Sequence, residues 1–193
     1  MNMKKRMLSI VLSGAMAVST AVSAGSFSAF AVAQCVAYSG SNVNDQDYVQ
    51  WSDTVKSYLT VCDNGNYMRV QSGAIEGKLL VEYYSSDFEP LSTKLIDNEL
   101  PIFGAFYDSG NNYYVLSGQE NPKQNDSLEV FRITKYDKNW NKIKSCGLYG
   151  ANTTVPFDAG SARMTHSGDH LLVRTCHEMY KSSDGNNHQS NVT

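Results

Sequence analysis

A repeat constrains this chain more than any other feature. Asp63-Asn64-Gly65-Asn66, followed by Val70, Ser72 and Gly73, recurs at a constant offset of 45. The second copy is Asp108-Ser109-Gly110-Asn111 with Val115, Ser117 and Gly118. Further on, 84–91 (YSSDFEPL) matches 136–143 (YDKNWNKI) at an offset of 52. A third copy opens at 166–173 (HSGDHLLV), 58 residues after Asp108. Turn signals of the Asn-Gly kind between β-branched and aromatic runs are the strongest short-range mark of a hairpin. Each unit therefore reads as four short strands, with two hairpins of constant length separated by a polar loop of variable length. In the second hairpin an aromatic residue, Phe88 or Trp140, sits just past the Asp, placed to cover the neighbouring unit.

Four strands in roughly 50 residues is the period of a β-propeller blade. The chain is accordingly predicted to be all-β: a polar arm over 34–47, then blades at about 48–100, 101–149 and 150–193, the last incomplete. A β-sandwich of meandering strands is the competing all-β reading, which three in-phase copies disfavour. Closed propellers use about 4–8 blades. Three units thus predict either a truncated ring or subunits that complete one another's ring.

Residues 1–33 read as a secretory signal. Lys4, Lys5 and Arg6 form a positive leader, 7–24 is apolar but rich in small residues, and small-residue cleavage sites follow at Ala24, Ala31 and Ala33. Cleavage after Ala33 leaves a polar start. No later stretch approaches the ~20 apolar residues of a membrane helix. Removing the signal takes away three basic residues and no acidic one. That leaves 13 basic against 19 acidic side chains, a net charge of −6. An acidic chain without a basic cluster excludes nucleic acid as the expected partner. The four cysteines, Cys35, Cys62, Cys146 and Cys176, show no Cys-x-x-Cys spacing, so a structural zinc site is not expected. Free thiols and one or two disulfides both remain open in an exported chain.

Several segments resemble a group of secreted Gram-positive (clostridial-type) proteins with β-propeller-like repeats. They are 48–51 with 55–59, 127–130 with 134–136, 150–161 and 174–180. The resemblance implies a secreted propeller belonging to a longer chain and brings no catalytic residues with it.

If the hairpins lie at one end of each blade, the remaining loops lie at the other: 72–77, 117–126, 150–162 and 177–191. Binding residues concentrate on such loops, and the ligand-binding candidates are Asp158, Arg163, His177, Glu178, Asp184 and His188. The run at His177 lacks the second histidine of a zinc-protease helix, since Lys181 stands there. A metal held by His177, Asp184 and His188 is outweighed by a plain turn at 184–187, and no metal or cofactor is expected. Acid pairs for glycoside cleavage would have to come from Glu120, Asp126, Asp158 and Glu178, which nothing in the sequence brings together. Arg163 and Arg174 either face an anionic ligand or pair with Asp158 and Glu178. His166 and His170 bracket a turn. There is no phosphate-binding glycine loop and no nucleophile elbow. The expectation is an extracellular or cell-surface module that binds glycan or protein. An extracellular hydrolase or transferase with its site near His177 and Glu178, and a structural envelope protein, are the alternatives.

Overall fold

The computed structural model describes residues 54–158, 160 and 162–193. The signal, the arm, Tyr48–Trp51 and Cys35 lie outside the described residues. The rest is all-β: twelve strands in three antiparallel four-stranded sheets, with no helix among the described residues. The first sheet runs in the order β1 (Ser57–Val61), β2 (Tyr67–Ile75), β3 (Lys78–Tyr84), β4 (Pro90–Asp97). The second repeats the order with β5 (Ile102–Asp108), β6 (Tyr113–Gly118), β7 (Glu129–Tyr136), β8 (Lys142–Tyr149). The third combines β9 (Thr153–Pro156), β10 (Arg163–Ser167), β11 (His170–Met179) and β12 (Gln189–Val192). Strands β9 and β12 both pair with His177 and Glu178, so they hold opposite edges of β11.

The second sheet is packed on both faces. Phe106, Tyr113, Val115, Tyr136 and Trp140 share one core with Met68, Val70, Leu79, Val81 and Ile96 of the first sheet. Ala105, Leu116, Val130 and Phe131 join Phe157, Ala162, Met164 and Val173 in a second core toward the third sheet. Strands β4 and β8 are outer edges, largely exposed and carrying Pro90, Lys94, Lys142 and Lys144, which blunt edge-to-edge pairing.

The repeat at offset 52 holds residue for residue, including a bulge that sets Tyr84 opposite Pro90 and Tyr136 opposite Lys142. Phe88 and Trp140, in the five-residue turns that follow, both have positive φ, 62° and 64°. The offset of 45 does not hold. Tyr67 pairs Tyr84 as Tyr113 pairs Tyr136, and Val70 pairs Val81 as Leu116 pairs Ile133, so β6 repeats β2 at 46. The first turn has five residues (62–66) and its counterpart four (109–112), so the first hairpins are not constant in length. A slip of one residue moves every side chain to the other face. Val70 therefore points toward the second sheet, while Val115, its match in sequence, points back at the first. The 58-residue offset does keep its faces, with Met164 opposite Val173 as Phe106 is opposite Val115.

Between β9 and β10 the pairing along one edge of β11 is interrupted opposite Thr175 and Cys176. At this loop end, where binding residues were expected, the chain instead delivers a buried ring. Phe157, at φ 61°, packs edge-on to Phe131 and lies over Gly104 and Gly118. Glycine is needed at both, since a Cβ at Gly104 would come within 2.3 Å of Phe157 Cζ.

Candidate functional site

The loop end was the expected site, and the structure draws its loops together. Buried Asn121 donates to the Asn125 carbonyl at 3.1 Å and to the Tyr180 hydroxyl at 3.0 Å, and that hydroxyl donates to Asp126. Loop 119–128 is thereby tied to loop 180–188. Asn187 reaches Glu178 Oε1 at 3.0 Å and the Met179 carbonyl at 2.9 Å, while Gln189 donates to Asp158 at 2.7 Å. These contacts turn the polar groups toward one another.

The sequence candidates do not converge on one point. His177 and Glu178 are neighbours on β11, and successive strand residues face opposite sides of a sheet. His177 is buried, its Nδ1 lying 2.7 Å from the Thr153 hydroxyl, and burial lowers its pKa so that the ring is neutral near pH 7. That hydroxyl donates to the Ala151 carbonyl, leaving its lone pair to accept the His177 N–H. Asp184 and His188 form a half-exposed pair at 2.8 Å, and the Asn186 amide together with His188 holds the Asp184 carboxyl below the usual range. Arg163 donates to the Ala162 carbonyl rather than pairing with Asp158, and its charge is felt by the buried Tyr58 hydroxyl. Among the described residues, no three His, Cys, Asp or Glu side chains are grouped to hold a metal ion. Cys62, Cys146 and Cys176 are free thiols.

The opposite, hairpin end holds a cleft between the first two sheets, of about 310 Å³. Turn 62–66 supplies Cys62, Asp63, Asn64 and Asn66, β3 supplies Tyr83, β6 supplies Tyr113, and the turn after β7 supplies Lys138. Each wall has a local cause. The Asn64 side chain accepts the Asn66 amide in an Asx turn, which Gly65 at φ 80° closes. Lys138 is drawn inward by an ion pair to Asp108 at 2.6 Å and lies over the Tyr113 ring, 4.3 Å from its centroid. Tyr83 is oriented by Trp140, whose indole Nε1 donates to its hydroxyl at 3.0 Å. Burial raises the pKa of Cys62, Tyr83 and Tyr113, so all three carry their protons at neutral pH.

Comparison with family models, with curated proteins and with solved structures gives no match. The reading of the site therefore rests on its own chemistry. None of the cleft residues stood among the sequence candidates. Tyr83 and Tyr113 read as strand formers, and the hairpin end as a row of short turns. The signal that could have found them is the pair of asparagines flanking Gly65, opposite tyrosine-rich strands. No helix among the described residues is long and apolar enough to cross a membrane.

Proposed function

We propose that this protein is a secreted β-propeller-type binding module whose hairpin-end cleft takes an extracellular glycan. Export is supported by the basic leader, apolar stretch and small-residue cleavage sites of 1–33. The propeller reading is supported by three four-stranded sheets in series, the middle one packed on both faces, with equivalent positions recurring at 46, 52 and 58.

The observation that carries the ligand class is the composition of the cleft: Tyr83 beside a Tyr113 ring that Lys138 covers, two asparagine amides, the Asp63 carboxyl, and an ammonium already neutralised by Asp108. Sugar rings place C–H faces on aromatic rings and satisfy hydroxyls with amides, and concave sites with a few convergent polar groups suit them. Neutralisation of Lys138 argues for a neutral sugar over an anionic one. A glycan array tests this. Retention of a sugar set that Asn66→Ala, with the melting temperature unchanged, and Lys138→Ala both abolish supports the reading. An array that retains nothing, or binding that survives both changes, ends it.

A further inference from the structure

The two copies of the hairpin aspartate are used differently. Asp108 is committed to the scaffold: its Oδ1 accepts the Gly110 amide at 2.8 Å and the Lys138 ammonium at 2.6 Å. Asp63, its match in sequence, stands in a turn one residue longer. There the bond that closes the turn comes from Asn64, which accepts the Asn66 amide, and the Asp63 carboxyl is released from that duty. Among the described residues it has neither a hydrogen-bond donor nor a cationic partner, and it lines the cleft. Burial raises the pKa of the Cys62 thiol and the Tyr113 hydroxyl, and the Asp63 charge raises both further, so its field falls inside the cleft.

With Cys62, Tyr83 and Tyr113 protonated, the charges at the cleft are Asp63 and Asp108 against Lys138, which leaves a negative excess. The cleft also shows what such a wall attracts. The Lys138 ammonium is shared between the Asp108 carboxylate and the Tyr113 ring face, the pairing by which aromatic sites hold cations. Asp63 offers a second carboxylate for which the chain supplies no ammonium. We infer that the cleft selects a hexosamine with a free amine over its N-acetylated counterpart, the sugar's ammonium pairing with Asp63 while its hydroxyls meet Asn64 and Asn66. This selectivity rests on the glycan reading of the cleft and adds Asp63 as the residue that decides between sugars.

A glycan array carrying gluco-, galacto- and manno-configured hexosamine oligomers, each in free-amine and N-acetylated form, reads the preference. Calorimetry on the best-retained pair, in mildly acidic buffer where the amine is protonated, reads its size. The free-amine form should bind about three- to fivefold more tightly at low salt, the upper range for an exposed ion pair. That advantage should shrink as salt is raised. Asp63→Asn should bring the two forms to equal affinity. Because Asp63 is exposed and holds no part of its turn, the variant should melt as the parent does. An N-acetylated form bound as tightly as the amine by the parent, or a preference that survives Asp63→Asn, overturns the inference and leaves the glycan reading standing. So does retention of other sugars only. An array that retains nothing ends both. A lysine oligopeptide that binds as tightly as the amino sugar and competes with it also overturns the inference, since the ammonium would then belong to a protein.

Discussion

The indole Nε1 of Trp140 donates to the Tyr83 hydroxyl at 3.0 Å, joining the turn of the second sheet to the face of the first. The same ring lies against Phe106, Tyr113 and Tyr136 and is 5% exposed. Trp140→Ala should cost about 3–5 kcal/mol, the range for emptying a buried aromatic site. Tyr83→Phe removes one hydrogen bond and should cost about 1 kcal/mol. Urea unfolding of both variants checks the order, and a tryptophan loss no larger than the tyrosine one would mean that this junction contributes little.

Phe157 and Gly104 form a second lock. Gly104→Ala should destabilise the protein by about 1–3 kcal/mol, the range for overpacking. In a Phe157→Ala background the same change should be nearly neutral, because the clash has gone. The double-mutant cycle reads this coupling directly. Additive costs would show that the ring is not what makes glycine necessary.

Two glutamates should give stability opposite dependences on pH. Glu82 is buried, with Arg69 3.8 Å away, and burial raises its pKa despite that charge. A raised carboxyl pKa means the folded state holds its proton more tightly, so stability falls as pH rises from the unfolded value through the folded one. Glu82→Gln removes that fall. Glu129 is the reverse: hydrogen bonds from Arg132 lower its pKa, so its contribution is present above the unfolded value and is lost as pH drops through the folded one. Arg132→Met should remove the acid-side loss. Denaturation midpoints across the acid and neutral range, with each variant compared to the parent, test both signs.

The cleft thiol offers a chemical test of the glycan reading. Burial raises the Cys62 pKa, and only the thiolate is nucleophilic. Alkylation at neutral pH should therefore label exposed Cys146 before Cys62, and a bound sugar should slow Cys62 further. Peptide mapping after a short pulse of iodoacetamide gives the order. Equal rates at Cys62 with and without sugar would place the ligand elsewhere.

Export predicts a processed terminus. Expressed in a Gram-positive host, the protein should be recovered from the medium beginning at Gln34. Terminal sequencing checks this, and a cell-retained chain beginning at Met1 would remove the secretion reading.

Much of this architecture can be read from local chemistry. The strand runs, the turn after Tyr84 and its copy after Tyr136, and the three-unit period follow from turn residues and β-prone runs, which act within a few residues of one another. The twelve strands and three sheets agree with that reading. Which face each strand presents was decided by the tertiary structure. Identities at offset 45 align Val70 with Val115, yet a turn shorter by one residue sets them on opposing walls of one core. Identity between two residues says nothing about parity, and side-chain direction alternates with every residue. The site was hidden for a related reason. Adjacent in sequence, His177 and Glu178 diverge because they share a strand. Cys62, Tyr83, Tyr113 and Lys138, up to 76 residues apart, converge because two sheets pack face to face. Sequence alone determined the units and their turns, which are short-range. Only packing between sheets decided which surfaces meet and where a cleft is left between them.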